Sequence, residues 1–444
     1  MKSMSQFTYS LSLRYSKILK AILFAFSLIA APAILVISLN IRPAADDFCF
    51  AKAINMGFLP SIWNWYLTWV GDLSVTTLNT LLVGLPISVS PKLSLIPFLS
   101  GALSVALLGS RVLFRKCATG TRLLSITLIL ILWITYLWFP AFSEQKLFGP
   151  GGSNQIAEQT TFWQVTNSSY VIPTSLVLLL FLFLRKQVEN QRKHHQKIIF
   201  PVGLFIGMIG YVIATSTIIC LASILFIIYK SRETILGKKI RLSIIVLSLG
   251  VGTGMAISLL SPGAAIRKSN FQHIGTLEIL SHIPKIVILS LSTILEILGS
   301  ASFVIAIISG FVIYSLKRDR DEADNNLILP LSFILIVVTL VNRISEIFSY
   351  SATSHLEVSY LVAFVLGLEI GKRLNNTISD KKCYLMISAL SMGLFIVFST
   401  VGILYFSHEV NAFLEAWNSE QGFKFIPSYS TGWIAECAHN LWSS

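Results

Sequence analysis

The chain has 444 residues, 54% of them hydrophobic and only 12% charged, against roughly 25% charged in an average soluble domain, and its mean hydropathy is +0.74. So few charges cannot cover a surface that faces water, which excludes a soluble globular protein. The formal net charge of +13 would point to nucleic acid in a soluble chain; here the basic residues cluster between apolar runs, so the charge reads as a topology signal and no nucleic-acid partner is expected.

The first apolar run is Ile18–Leu39. It exceeds the roughly 7–15-residue core of a secretion signal, and no small-residue cleavage site closes it cleanly, so it reads as a retained first span. Leu123–Ala141, Ser168–Leu184, Leu242–Leu260, Ile286–Leu316 and Cys383–Phe406 each reach the roughly 17 residues that cross about 30 Å of hydrocarbon. Basic clusters at Lys2 to Lys20, Arg111 to Arg122, Arg185 to Lys197, Lys230 to Arg241, Lys317 to Arg320 and Lys372 to Lys382 assign those segments to the cytoplasmic face.

An even number of crossings must separate any two such clusters. Ile198–Tyr229 therefore goes out and returns as two short helices, with its tip expected near Thr215-Ser216-Thr217. Leu73–Ser90 lies on or dips into the outer face, and Leu93–Phe114 makes the crossing. The expected fold is an all-α, polytopic bundle of about eleven spans with short outer loops and interfacial helices. Residues 1–406 form the transmembrane domain, 41–92 its first outer loop, and 407–444 a short outer tail. The N-terminus is cytoplasmic. No internal repeat is evident, and Glu296 is the only acid plainly inside a span.

The outer segments are the longer ones and the richer in acids and aromatics, so chemistry is expected there. Directly after the first span come Arg42-Pro43-Ala44-Ala45-Asp46-Asp47, then Trp63-Asn64-Trp65-Tyr66-Leu67-Thr68-Trp69-Val70-Gly71-Asp72. Adjacent carboxylates near hydrocarbon raise one another's proton affinity and suit a general base; the competing explanation is that they end the span and cap the next helix. The aromatic stretch fits an interfacial belt or a platform for a sugar ring. Farther on, Arg267 and Lys268 follow Pro262-Gly263, read as a tight turn at the outer end of a span. They suit a lipid phosphate, the guanidinium through its bidentate donors, or simple snorkelling to headgroups. Arg343 is a second outward cation, with Glu346 as a candidate surface partner.

The five cysteines have no metal-ligand spacing. Only Cys49 and Cys437 share the outer compartment, where a disulfide is permitted. Gly149-Pro150-Gly151-Gly152-Ser153 lacks the Lys-Ser/Thr of a phosphate-binding loop and reads as a flexible loop.

Three blocks resemble the GT-C class of membrane glycosyltransferases, especially its broad group of bacterial members. The first is Asp46-Asp47 followed by Trp69-Val70-Gly71-Asp72, similar to an acidic pair and a W-x-G-[RD]-like turn. The second is Ser261-Pro262-Gly263-Ala264-Ala265-Ile266-Arg267-Lys268, similar to a P-G-x-x-x-R element. The third and looser one is Trp163-Gln164-Val165-Thr166-Asn167-Ser168-Ser169-Tyr170. The chain departs from the class at the tip of the short helical pair, where relatives often carry an acid.

The resemblance implies an inner-membrane enzyme working on its periplasmic side. It would move a sugar, with inversion, from a polyprenyl-phosphate donor to a glycan acceptor such as O-antigen. Asp46 and Asp47 would be catalytic, Arg267, Lys268 and Arg343 would meet the donor phosphate, and Trp69, Asp72, Trp163, Asn167 and Tyr170 would line the substrate site. A divalent cation held by the carboxylates is left open. The rival functions are a flippase for lipid-linked glycans, a polysaccharide polymerase or ligase, and a membrane scaffold.

Overall fold

A computed structural model describes residues 2–44, 47–68, 71–114, 118–143, 164–190, 196–230, 235–270, 276–316, 327–349, 356–378 and 380–418. Among these every regular element is helical. After α1 (Lys2–Ser38) come the short helices α2 (Asp47–Ala53), α3 (Phe58–Thr68), α4 (Leu73–Asn79) and α5 (Leu85–Val89). A π-helical turn, Thr80–Gly84, joins the last two. Then follow α6 (Leu95–Leu113) and α7 (Thr119–Ser143). Helix α8 (Ile172–Asn190) is approached through Gln164–Thr166 and a second π-helical turn, Asn167–Val171. The remainder is α9 (Gln196–Gly207), α10 (Tyr211–Lys230), α11 (Ile235–Leu259), α12 (Pro262–Asn270), α13 (Thr276–Gly299), α14 (Ala301–Tyr314), α15 (Ile328–Ser349), α16 (Leu356–Thr377) and α17 (Lys381–Asn418).

Among the described residues seven helical stretches are long and apolar enough to cross a membrane: Lys17–Ser38, Pro91–Leu113, Thr119–Trp138, Gln164–Phe183, Arg241–Leu259, Ser281–Gly299 and Cys383–Glu415. Their outward faces carry Ile29, Leu249, Ile288, Leu295, Met386, Leu390 and Leu404, all well exposed. A water-soluble protein does not display so extended an apolar surface, and helices that are hydrophobic all round belong in lipid. The chain is a multi-pass helical membrane protein.

Helices α1, α6, α7, α14, α16 and α17 enclose the main core around Trp133, Tyr136, Trp138, Phe364 and Phe406. A second core joins α9, α10 and α11 to α8. Lipid supplies no hydrophobic drive between helices, so close backbone approach at small residues does much of the joining. On α9 and α11, Gly203 and Gly207 face Gly250 and Gly254: a Cβ on Gly203 would stand 2.5 Å from Leu247 O, and one on Gly207 would lie 2.9 Å from Gly254 Cα. Gly367 and Gly371 of α16 meet Ala306 and Gly310 of α14 in the same way. Replacing Gly371 or Gly207 by Leu is therefore expected to cost about 1–3 kcal/mol or more and to lower the amount of folded protein in membranes, as read by fluorescence-detected size exclusion.

The structure corrects the expected helix boundaries at two places. The α9–α10 reversal falls at Met208 to Gly210, where Gly210 takes a φ of +139°, open to glycine and strained for other residues. Thr215–Thr217 lies inside α10 instead, and Thr217 Oγ1 donates to Ile213 O (2.7 Å). The run Ile286–Leu316 is two helices, because Ser300 leaves helical geometry and its Oγ accepts from Phe303 N–H as an N-cap. Leu73–Val89, expected to lie on or dip into the outer face, is one short apolar helical stretch carrying the π-helical turn Thr80–Gly84.

Lys372, counted above with the loop cations, is buried. Its Nζ donates to Glu369 Oε2 (3.2 Å) and Val112 O (3.1 Å), and Arg373 Nε donates to the other oxygen of Glu369 (3.1 Å). This ionic cluster ties α16 to the end of α6. Glu369 is wholly buried, whereas Glu296, within the apolar stretch of α13, is exposed.

Candidate functional site

The first outer loop folds back against the rest of the chain through Asp47. In sequence Asp47 reads as a base or as a cap for the helix it begins. Its carboxylate instead reaches across the fold, where Oδ2 accepts from the backbone N–H of Ala44 (3.0 Å) and Gln164 (3.1 Å), and Oδ1 from that of Val165 (2.9 Å). Gln164 and Val165 open the helical segment leading to α8, and the first N–H groups of a helix have no partner within it. A buried carboxylate is a strong acceptor there, so Asp47 joins the first and third sequence blocks at 0% exposure.

Beside this joint lies a buried polar seam. Asn79 Oδ1 accepts from Ser168 Oγ and from Ser169 Oγ (3.2 Å), and Asn167 Nδ2 donates to Gln164 Oε1 (3.4 Å). Asn167 is buried and presses on Gly101 of α6, where a Cβ would stand 2.5 Å from its Oδ1. Tyr170 is half-buried at the same turn. Asn79 and Asn167 each stand at the head of a π-helical turn, a form found mostly as single turns and often at functional sites. Phe50 stacks on Trp65 at 4.4 Å, and Trp63 on Tyr66 at 5.3 Å, so the aromatic stretch is partly a packed core and partly surface.

The first and second blocks also meet. Gly71 lies so close to the end of α11 that a Cβ would collide with Ser258 O and Ser261 Oγ. Tyr66 Oη donates to Ile257 O (3.4 Å) one turn away, and α3 packs on α12. Gly71→Ala is expected to push the loop off α11, which limited proteolysis would detect as faster cleavage between residues 41 and 92.

Asp72, half-buried, places its carboxylate against the α9–α10 reversal, 3.7 Å from where a Cβ on Gly210 would stand, and Ser74 N–H donates to Met208 O (3.1 Å). An acid thus reaches the tip of the short helical pair from the first outer loop, although the tip itself carries none.

Pro262-Gly263 is not a reverse turn. Ser261 accepts from Ala264 N–H through its Oγ (3.0 Å) and Pro262 occupies the first position of α12, the usual order of N-cap and proline. Arg267 and Lys268 lie in α12, with side chains outside the described part of the structure. Arg343 Nε donates to Thr293 Oγ1 (3.1 Å), tying α15 to α13; the Glu346 side chain is not among those described. Asp46, Trp69 and Trp163 lie outside the described residues, as does Cys437.

Sequence reasoning gave no role to Arg42. Its Nη1 donates to Leu39 O (2.9 Å) and Ile41 O (3.0 Å), capping α1, and its guanidinium lies 5.9 Å from the centre of the Trp417 ring. The signal was there, a cation just past a helix end. Cys49 is disulfide-bonded, with its partner outside the described residues, while Cys220 and Cys383 are free. No three His, Cys, Asp or Glu among the described residues gather to hold a metal, and Asp47 has both oxygens turned to backbone amides.

Fold and site together define an all-helical membrane protein whose first loop is bound to two distant helix ends. No family model, curated protein or solved structure matches the chain.

Proposed function

We propose that the protein is a GT-C-type membrane glycosyltransferase with about eleven spans, which transfers a sugar from a polyprenyl-phosphate carrier to a surface-glycan acceptor on the periplasmic face of a bacterial inner membrane. The observation that carries the reading is the meeting of the three sequence blocks. Asp47 binds the amides of Gln164 and Val165, and Gly71 lies on Ser258 and Ser261. A scaffold has no need to bring an acidic loop, a polar helix start and a cation-bearing helix to one end of a bundle. The disulfide of Cys49 supports an oxidising compartment for this end.

In this reading Asp47 holds the loop and Asp46 takes the proton of the acceptor hydroxyl as its oxygen attacks the anomeric carbon. The bond to the lipid phosphate breaks with inversion, and Arg267, with Lys268 beside it, meets the charge on the departing phosphate. Arg343 is the next cation. Asp72, Asn167 and Tyr170, with Trp69 and Trp163, line the site.

The topology predicts that reporter fusions after Asp47 and after Lys268 both signal the outer compartment; a cytoplasmic signal at either would break the scheme. The function is tested by comparing surface glycans of a deletion strain with its parent. Loss of one sugar branch supports transfer, and accumulation of unprocessed lipid-linked glycan supports a flippase.

A further inference from the structure

Three acids are buried among the described residues: Asp47, Glu357 and Glu369. The fold answers two of them fully, Asp47 with three backbone amides and Glu369 with Lys372, Arg373 and the N–H of Leu327. Glu357 is 2% exposed, and neither of its oxygens has a hydrogen-bond partner. Burying such a group without a partner is costly, so an orphan of this kind calls for an explanation.

Its position supplies one. Glu357 stands in the first turn of α16. Spacings of four, seven and eleven put Leu361, Phe364 and Leu368 on the same face of the helix. That face is turned to α7 and α6: the Phe364 ring meets Trp133 at 5.2 Å and Tyr136 at 5.0 Å, and Leu368 packs on Gly109. Tyr136 Oη donates to Tyr360 O (3.2 Å), and the two tyrosine rings meet edge to face at 6.4 Å. Helix α16 also packs against Asn167–Val171, the π-helical turn next to the Asp47 joint. The orphan carboxyl therefore stands on the helix that packs against that turn, one helical turn from Tyr360.

We propose that Glu357 is a carbohydrate-binding residue of this site, holding hydroxyl groups of a sugar through its two carboxyl oxygens. The proposal rests on the glycosyltransferase reading and deepens it. Burial pushes the Glu357 carboxyl up to about 8, against a smaller opposite pull from its own backbone N–H. Near neutral pH the group is a carboxylic acid, one O–H donor and one acceptor oxygen side by side. That pattern matches neighbouring hydroxyls on a ring, whereas a metal ion or an amine would call for the carboxylate.

Glu357→Gln keeps a donor and an acceptor in place, whereas Glu357→Leu keeps the volume and removes both. Neither leaves a buried carboxyl, so both unliganded variants should melt at or above the parental temperature, with Glu357→Met as a second apolar replacement should Leu pack poorly. The purified proteins are titrated with farnesyl phosphate carrying glucose, galactose or mannose, and with farnesyl phosphate alone to isolate the lipid end, and binding is read by thermal shift. The expected result is a sugar-dependent shift in the parent, retained within about threefold in apparent affinity by Gln and weakened about tenfold or more by Leu and Met, since a site built for a hydroxyl penalises its loss. Parental affinity in the apolar variants overturns the proposal and leaves the transferase reading standing. A loss in Gln as great as in Leu also overturns it, because an ionised carboxylate would then be required. No sugar-dependent shift in the parent sinks the donor reading itself, and this proposal with it.

Discussion

Asp46→Asn is expected to lower sugar transfer by about 10²–10⁴, the usual loss when a positioned base is removed, while leaving the amount of folded protein unchanged. Asp47→Asn should behave differently. Its carboxylate accepts from three backbone amides at a joint between residues more than a hundred positions apart. An asparagine would turn one N–H₂ group toward those donors and lose the charge that strengthens the remaining bonds. The penalty is on the order of 3 kcal/mol, visible as reduced folded protein and a lower melting temperature. Two neighbouring acids would thus fail in distinguishable ways, one in rate and one in stability. Parental transfer by Asp46→Asn at parental abundance would remove it as the base.

Arg267→Gln carries the second large expected effect. Charge growing on a departing lipid phosphate is stabilised by a preorganised guanidinium, and removing one such donor commonly costs about 10²–10³ in rate. Arg267→Lys should lose less, because a point charge keeps the sign and lacks the bidentate fork, and Lys268→Gln less again. Helix α12 is capped by Ser261 and Pro262 and leans on α3, and the three variants should accumulate normally. Three equal, mild losses would mean headgroup contact alone. Parental transfer by Arg267→Gln would end the phosphate assignment and direct attention to Arg343, already tied to Thr293.

Composition and run length made the helical membrane class legible, because lipid dictates them directly. Hydropathy is blind to backbone direction, however, and so Ile286–Leu316 reads as one run although Ser300 caps a new helix within it. The reversal of α9 into α10 was misplaced for a related reason: hydroxyls at Thr215–Thr217 read as a polar tip, but such groups bond back into their own helix, while Gly210 alone permits the turn. Lys372 read as a loop cation from charge alone. Glu369 three residues earlier was the visible hint that the pair is internal.

The site was legible as residues and not as contacts. Asp46-Asp47, Gly71-Asp72, the Gln164–Tyr170 block and Ser261-Pro262 could each be singled out locally. That Asp47 would serve Gln164, or that Gly71 would rest on Ser258, depends on packing between distant segments, which no spacing along the chain encodes. The glycine pairs of α9–α11 and α14–α16 were readable as small residues four apart. Glu357 carried no motif at all, and only its burial without a partner brings it forward.

The most direct measurement uses the purified protein in lipid nanodiscs with polyprenyl phosphate bearing a radiolabelled sugar, and follows the label and the free lipid phosphate with and without a lipid-linked glycan acceptor. The account predicts that label moves to the acceptor and that polyprenyl phosphate is released in equal amount, both abolished by Asp46→Asn and Arg267→Gln. An intact donor under every acceptor tested, together with movement of the labelled lipid between leaflets when the same protein is placed in sealed vesicles, would contradict it and identify a carrier in place of a transferase.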